Sequence, residues 1–253
     1  MIEREELNKK GDLMRTEVGA FGSDIDTVPG FQRMLTEVVY GGILAMDVLS
    51  LQDRYICVLT SLMLKQNKPQ LQINILSALK VGLSPRTILE IFLQAGLYGG
   101  FPTAENAMKL AHKVFSTRNI CIESENEDNE TIDKFYDIGN NLLSFLHGTR
   151  GSEGYASPDN STAKPLYEIA IAYGYGWLWH RPGLDKRQRM ICAISSFTVL
   201  QLDHQIRKFG KSALTTGLNK GEVIEVVIQT APYSGFPPAL NALSILDLSL
   251  IHI

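Results

Sequence analysis

The chain has 253 residues, more than the roughly 100–150 typical of one domain, with 45% hydrophobic and 20% charged residues and a net charge of -3. That balance excludes a disordered tail and gives no electrostatic reason to expect a nucleic-acid partner. The opening MIEREELNKK carries both signs of charge and lacks the apolar stretch of a secretory signal, and apolar runs such as Ile56 to Leu64 are too short to span a bilayer, so a cytoplasmic protein without a membrane partner is expected. Three cysteines with no CxxC spacing argue against a disulfide framework, a zinc site or a dithiol centre. Cys57 and Cys192 read as buried small apolar residues and Cys121 as a loop residue.

An internal repeat organises the chain. At an offset of 135, Arg54-Tyr-Ile-Cys57 aligns with Arg189-Met-Ile-Cys192, and then Ser77-Ala-Leu with Ser212-Ala-Leu, Gly82-Leu with Gly217-Leu, and Glu90 with Glu225. Gln94 matches Gln229, Tyr98-x-Gly-Phe-Pro102 matches Tyr233-x-Gly-Phe-Pro237, and Asn106-Ala matches Asn241-Ala, all without a gap. The punctuation within each copy is helical. Gly82 and Gly217 stand where a helix needs a left-handed residue, followed by a new start at Ser84-Pro85 in one copy and at Asn219-x-x-Glu222 in the other. Apolar spacing through Ile88, Leu89, Phe92 and Leu93, and through Val223, Ile224, Val227 and Ile228, continues those helices. The Tyr-x-Gly-Phe-Pro block ends them and opens a helix predicted over 103–115 in the first copy. The polar, acidic stretch 119–130 reads as a linker and 152–163 as a loop. The expected fold is all-α: two tandem helical units over 1–118 and 131–253.

The stretch Tyr173-Gly-Tyr-Gly-Trp-Leu-Trp-His-Arg-Pro-Gly-Leu184, followed by Arg189, Gly217-Leu, Glu222, Glu225 and Tyr233-x-Gly-x-Pro237, resembles the gamma-carboxymuconolactone decarboxylase pattern. The resemblance covers both halves and implies a helical unit that assembles as dimers into a six-unit ring. For a duplicated chain it implies a homotrimer of pseudo-six-fold character. It also implies acid/base chemistry on a small organic acid, lactone or polyketide-like ring, in which loss of carbon dioxide leaves an enolate that a general acid protonates. A non-catalytic helical binding or scaffold protein that keeps the family fold is the alternative.

The resemblance implies an acid/base pair, and the chain keeps one member. Glu37 stands at the expected carboxylate position and would be the proton donor if burial raised its pKa. Asn74 replaces the expected histidine, and Ala172 and Phe209 stand at the two positions in the second copy. The related AhpD-like peroxidases carry CxxC and a histidine where this chain has Asn67, Gln70 and Asn74, or Leu202, Gln205 and Phe209, so thiol peroxidase chemistry is not expected. Gln70, Asn74, Trp179 and His180 are the substrate-binding candidates, Asn74 as an oxyanion donor or a plain surface amide, His180 as a substrate contact or a turn anchor under the tryptophans. His147 reads as a helix-capping residue, His204 as an exposed residue at a helix start, and His112 and His252 as surface or terminal residues. The repetition of Arg54 and Arg189 favours a structural ion pair. No histidine lies at ligand spacing from another ligand and no glycine-rich phosphate loop occurs, so no metal or cofactor is expected.

Overall fold

The computed structural model describes residues 3–20, 28–122, 130–157 and 159–250; most of the expected linker, and His252, lie outside them. The described residues form helices joined by turns, without a strand. In the first half these are α1 (Arg4–Val18), α2 (Phe31–Leu35) running into a π-helical segment π1 (Thr36–Leu44), α3 (Leu51–Leu64), α4 (Lys68–Lys80), α5 (Pro85–Gly99) and α6 (Phe101–Thr117). The second half repeats the order as α7 (Ile132–His147), α8 (Lys164–Ile169), π2 (Ala170–Trp177), α9 (Lys186–Leu200), α10 (Asp203–Thr215), α11 (Lys220–Ser234) and α12 (Phe236–Leu250).

The local signals act as expected. Gly82 and Gly217 follow α4 and α10 with φ of 96° and 94°, a region closed to most side chains. Ser84 accepts the amide of Thr87 to start α5, and Asn219 and Glu222 form a reciprocal capping box at the start of α11. Gly100 and Gly235, at φ of 94° and 100°, separate α5 from α6 and α11 from α12.

The repeat reaches further than the ungapped offset. Gly11 of α1 and Gly41 of π1 lie against backbone carbonyls of Thr36 and Leu7, and Gly139 of α7 and Gly176 of π2 lie in the same way against Ile171 and Phe135. Gly41 and Gly176 are 135 apart, whereas Gly11 and Gly139 are 128 apart, so the first helix of each half is conserved in place while the connection after it differs by seven residues. Each half thus pins its first helix to a π-helical segment by two glycines that let the backbones touch.

The two halves are not separate beads. Helices α3 and α9 pack against each other at the centre, with α5 crossing to α9 and α11 crossing to α3, around one core that runs through both halves. Two buried ion-pair clusters cross this junction. Arg189 of α9, with no exposed surface, donates Nη2 to Glu90 of α5 at 3.0 Å and to the Arg181 carbonyl at 2.8 Å, and Nη1 to Gln94 at 3.0 Å. At the equivalent place Arg54 of α3 faces Glu225 of α11 at 4.0 Å and donates to the Leu44 carbonyl, while Glu225 also accepts the amides of Val48 and Leu49. Each arginine therefore answers a glutamate of the other half.

Two stability predictions follow from these contacts. Gly176→Ala puts a Cβ onto the Phe135 carbonyl, and is expected to cost about 1–3 kcal/mol in urea unfolding instead of gaining the ~1 kcal/mol of helix propensity an open glycine site would give. Glu90→Leu strands the Arg189 guanidinium in the core and is expected to cost about 3–5 kcal/mol, whereas breaking the exposed Glu105–Lys109 pair by Glu105→Gln leaves the unfolding midpoint where it is.

Candidate functional site

A cavity of about 430 Å³ opens where α5 of the first half meets π2, α8, α9 and α10 of the second, a volume in the lower part of the range for small-molecule sites. Leu97 and Tyr98 come from the first half; Tyr175, Trp179, Phe197, Gln205 and Phe209 are among the second-half residues that face them. A run of edge-to-face aromatic contacts forms its wall and is closed from behind by the buried His147: Tyr98 on Phe197 at 4.7 Å, Phe197 on Phe209 at 4.9 Å, and behind them His147 against Phe209 at 4.7 Å and Tyr175 at 5.9 Å. Among the described residues no acidic, basic or thiol side chain lines it, so its polarity rests on the hydroxyls of Tyr98, Tyr167 and Tyr175, the Trp179 indole and the Gln205 amide.

Two hydrogen-bond chains reach this wall from the interior. The Arg189 guanidinium holds the Gln94 carbonyl oxygen, and Gln94 Nε2 donates to the Tyr98 hydroxyl at 3.0 Å; Trp179 hydrogen-bonds the same hydroxyl. Burial pushes the Tyr98 phenol up, so it stays a neutral donor at ordinary pH. On the other side, Ser212 Oγ lies 2.7 Å from His147 Nδ1, and His147 Nε2 lies 3.1 Å from the Tyr175 hydroxyl. Arg150 donates to the same serine, which in turn donates to the Lys208 carbonyl. The equivalent of the first chain is broken in the other half, where Gln229 donates to the Ile43 carbonyl and to Glu225 and not to Tyr233.

The residues singled out from sequence are scattered by the fold. Glu37 sits on π1 with its carboxylate held by Arg33 at 2.7 Å and Arg4 at 3.0 Å. The Arg33 hydrogen bond, opposed by desolvation and joined by Arg4, holds it below the ordinary carboxyl value of 4.5. The proton-donor role required a raised pKa, and the shift runs the other way because two guanidiniums stabilise the anion. Gln70 is exposed on α4, and Asn74 turns its amide back to the Gln70 carbonyl at 2.9 Å. Trp179 lines the cavity; His180 is exposed, its Nδ1 on the Gly176 carbonyl at 3.0 Å, which closes the turn. Leu202, Gln205 and Phe209, the positions of CxxC and histidine in the peroxidase branch, all line the cavity. Arg54 and Arg189 are structural ion-pair residues, and Arg181 of the Trp-x-Arg-Pro stretch joins Glu90 at 2.9 Å while stacking over Trp177.

His147 corrects the sequence reading. It is the last residue of α7, but its ring is buried between Ser212 and Tyr175 and caps nothing. No local signal marks it, because its partners lie 65 and 28 residues further along the chain. Burial first, then the charges of Lys208 and Arg150, push its pKa from 6.5 down to about 3. A depressed folded-state pKa gives stability that is complete above 6.5 and is lost as pH falls, since the unfolded chain takes up the proton first. At pH 5, one and a half units below the unfolded value, the loss from this residue is expected to be about 2 kcal/mol in urea unfolding, and His147→Gln is expected to remove that part of the slope.

Comparison with known proteins adds the lineage. The pattern of the carboxymuconolactone decarboxylase family matches residues 29–113 and again 164–248. A nitrosuccinic acid decarboxylase of Metarhizium robertsii is 22% identical over 122 residues, 48% of this chain and 85% of that protein. A 4-carboxymuconolactone decarboxylase of Acinetobacter baylyi is 29% identical over 70 residues, 28% of this chain and 52% of that protein. An uncharacterised 15.0 kDa protein of Paracoccus denitrificans is 32% identical over 73 residues, 28% of this chain and 54% of that protein. With two matches that together span most of its length, the chain belongs to the carboxymuconolactone decarboxylase family, as a tandem of two family units in one polypeptide.

Proposed function

We propose that the protein is a diverged family enzyme that takes a small ring-shaped organic acid, lactone or polyketide-like compound into the cavity beside Tyr98 and Tyr175 and reshapes it by decarboxylation, cyclisation or isomerisation. The observation that carries this reading is the placement of the cavity: Leu202, Gln205 and Phe209 line it, at the positions where the family branch with known thiol chemistry keeps its reactive side chains. The relatives from M. robertsii and A. baylyi, both named decarboxylases, favour loss of carbon dioxide among the three reactions. A carboxylate that enters this wall leaves water and meets no cation, which raises the localised charge above a delocalised enolate. The carbon–carbon bond to the carboxylate breaks, its electron pair stays on the ring as an enolate, carbon dioxide departs and water returns the proton. A phenol hydroxyl would steady the enolate oxygen meanwhile. That no acidic, basic or thiol side chain lines the cavity among the described residues favours a second reading, a binding protein that holds such a ring without turning it over.

Release of carbon dioxide from a panel of small ring and dicarboxylic acids separates the two. Little or no turnover of carboxymuconolactone and no hydroperoxidase activity are expected, because Asn74 and Phe209 stand where the resemblance implies a histidine and neither copy has CxxC. A substrate found in the panel is expected to lose at least about tenfold in kcat/KM with Gln205→Trp, which puts an indole into the cavity, and to be indifferent to Glu37→Gln, whose partners are Arg4 and Arg33. Binding without product for every acid tested would leave the second reading.

The assembly proposed is a homotrimer, three tandem chains supplying six units. Its support is that exposed apolar residues recur at the repeat offset, Phe31 with Leu166, Met34 with Ile169 and Phe101 with Phe236, as ring contacts made twice per chain require. Light scattering at dilute concentration is expected to give the mass of three chains. A mass of one chain, unchanged on concentration, would sink the trimer.

A further inference from the structure

The chain of hydrogen bonds that reaches Tyr98 has one possible direction. Arg189 carries only donors, so the side-chain atom of Gln94 that lies 3.0 Å from its Nη1 must be the amide oxygen. The amide nitrogen is thereby turned the other way, and Nε2 donates to the Tyr98 hydroxyl at 3.0 Å. Trp179 bonds the same hydroxyl, and an indole can only donate. Two donors therefore occupy the lone pairs of the Tyr98 oxygen. No acceptor for its proton stands among the described residues, and Tyr98 and Trp179 both line the cavity, which is where an acceptor has room.

The direction is fixed from the core. Arg189 is fully buried and held by Glu90 and the Arg181 carbonyl, so it stays on Gln94, and Gln94 itself has no exposed surface. A cation on the amide oxygen polarises the amide, which makes Nε2 a stronger donor and the Tyr98 hydroxyl, by accepting from it, a stronger donor in turn. This wiring does not come with the repeat. Gln229 and Tyr233 stand at the equivalent positions, yet Gln229 donates to the Ile43 carbonyl and to Glu225, and its amide oxygen has no partner among the described residues.

We propose that the cavity selects a ligand oxygen that only accepts, a ring carbonyl or the enolate formed from it, as the group bound by Tyr98, and discriminates against a ring of the same shape that brings a donor there. Gln94 is the positioning residue that sets this polarity. The inference rests on the reading of the cavity as the ligand site and adds what that site demands of its ligand. A donor at the same place would meet the Tyr98 proton head-on, and a buried polar group set against its own kind costs more than a bond merely absent. Gln205, also on the wall, can serve either kind of group and decides nothing about polarity.

Three probes of one bicyclic shape test it on the full-length protein: tetralin with no polar atom, 1-tetralone with an acceptor, and tetrahydroquinoline with an N–H. Titration calorimetry is expected to show 1-tetralone binding about tenfold tighter than tetralin, the worth of one hydrogen bond, and tetrahydroquinoline no tighter than tetralin. The infrared carbonyl band of bound 1-tetralone is expected below its frequency in an alkane. Tyr98→Phe is expected to erase the ketone's advantage and the band shift, whereas Gln205→Leu, whatever it does to affinity, leaves the band shifted. Gln94→Glu keeps Arg189 answered but puts an acceptor behind Tyr98. The hydroxyl is then expected to turn inward, so that the ketone's advantage vanishes with Tyr98 still present and tetrahydroquinoline rises above 1-tetralone. A merely structural role for Gln94 would weaken all three probes together with their order and the band unchanged, which overturns the polarity assigned to Tyr98. If Gln94→Glu does not fold, Tyr98→Phe and the band decide alone. Equal affinity of tetralin and 1-tetralone, tetrahydroquinoline as the tightest binder of wild type, or a band shift that survives Tyr98→Phe overturns this inference alone. Failure of all three probes to bind wild type overturns the cavity as a ligand site and this inference with it.

Discussion

The structure depends on a charge exchange between its halves. A fully buried arginine is tolerable only when its charge is matched and most of its donors are accepted, and Arg189 satisfies both Nη groups with Glu90, Gln94 and a backbone carbonyl, two of the three supplied by the other half, while its Nε has no acceptor among the described residues. Arg54 looks for the same in Glu225. The repeated residues Arg, Glu and Gln are thus not two copies of an internal brace; they are two crossings of one seam. Glu90 gathers further cations, Arg86 and Arg181 at 2.9 Å each, which binds the start of α9 and the Trp-x-Arg-Pro turn to α5.

The seam also explains the cavity. Because α5 crosses to α9, the Tyr98 end of α5 is brought against the second half's π-helical segment and α10. The π-helical turn is wider than an α-turn, and in each half two close glycine contacts press it against the first helix. That pairing fixes where π2 presents Tyr175, while α7, held by the same glycines, delivers His147 behind it. The cavity wall is therefore set by backbone contacts that no side-chain substitution on the wall itself would disturb.

Much of the fold was legible because its signals are local. A glycine at positive φ, a serine or asparagine at a helix start and a proline after it act within a few residues, and these placed α5 and α11 and their ends. The resemblance of the first helices α1 and α7 was not legible, since the connections that follow them differ by seven residues and the ungapped register ends there. The site was legible in part. Trp179 and the column of Leu202, Gln205 and Phe209 are readable from the sequence, yet the copy with Ala172 and Phe209 in place of the acid/base pair supplies most of the cavity, and the Glu37 carboxylate is spent on Arg4 and Arg33. The aromatic and hydroxyl partners of that cavity are separated by tens of residues, and a pattern read along one helix gives no sign of what faces it from another.

The cross-half pairing has a consequence for synthesis of the chain. Glu225 accepts the amide of Val48 across 177 residues, among the longest-range closures in the molecule. A chain emerging from the ribosome carries Arg54 and the apolar faces of α3 and α5 well before the carboxylate and the helices that cover them have been made. The first half must wait, exposed, for its counterpart, and a second nascent chain nearby offers the same complement. Fusion of two units in one polypeptide shortens that wait, because the missing partner is delivered in equal number, in fixed order and at high local concentration.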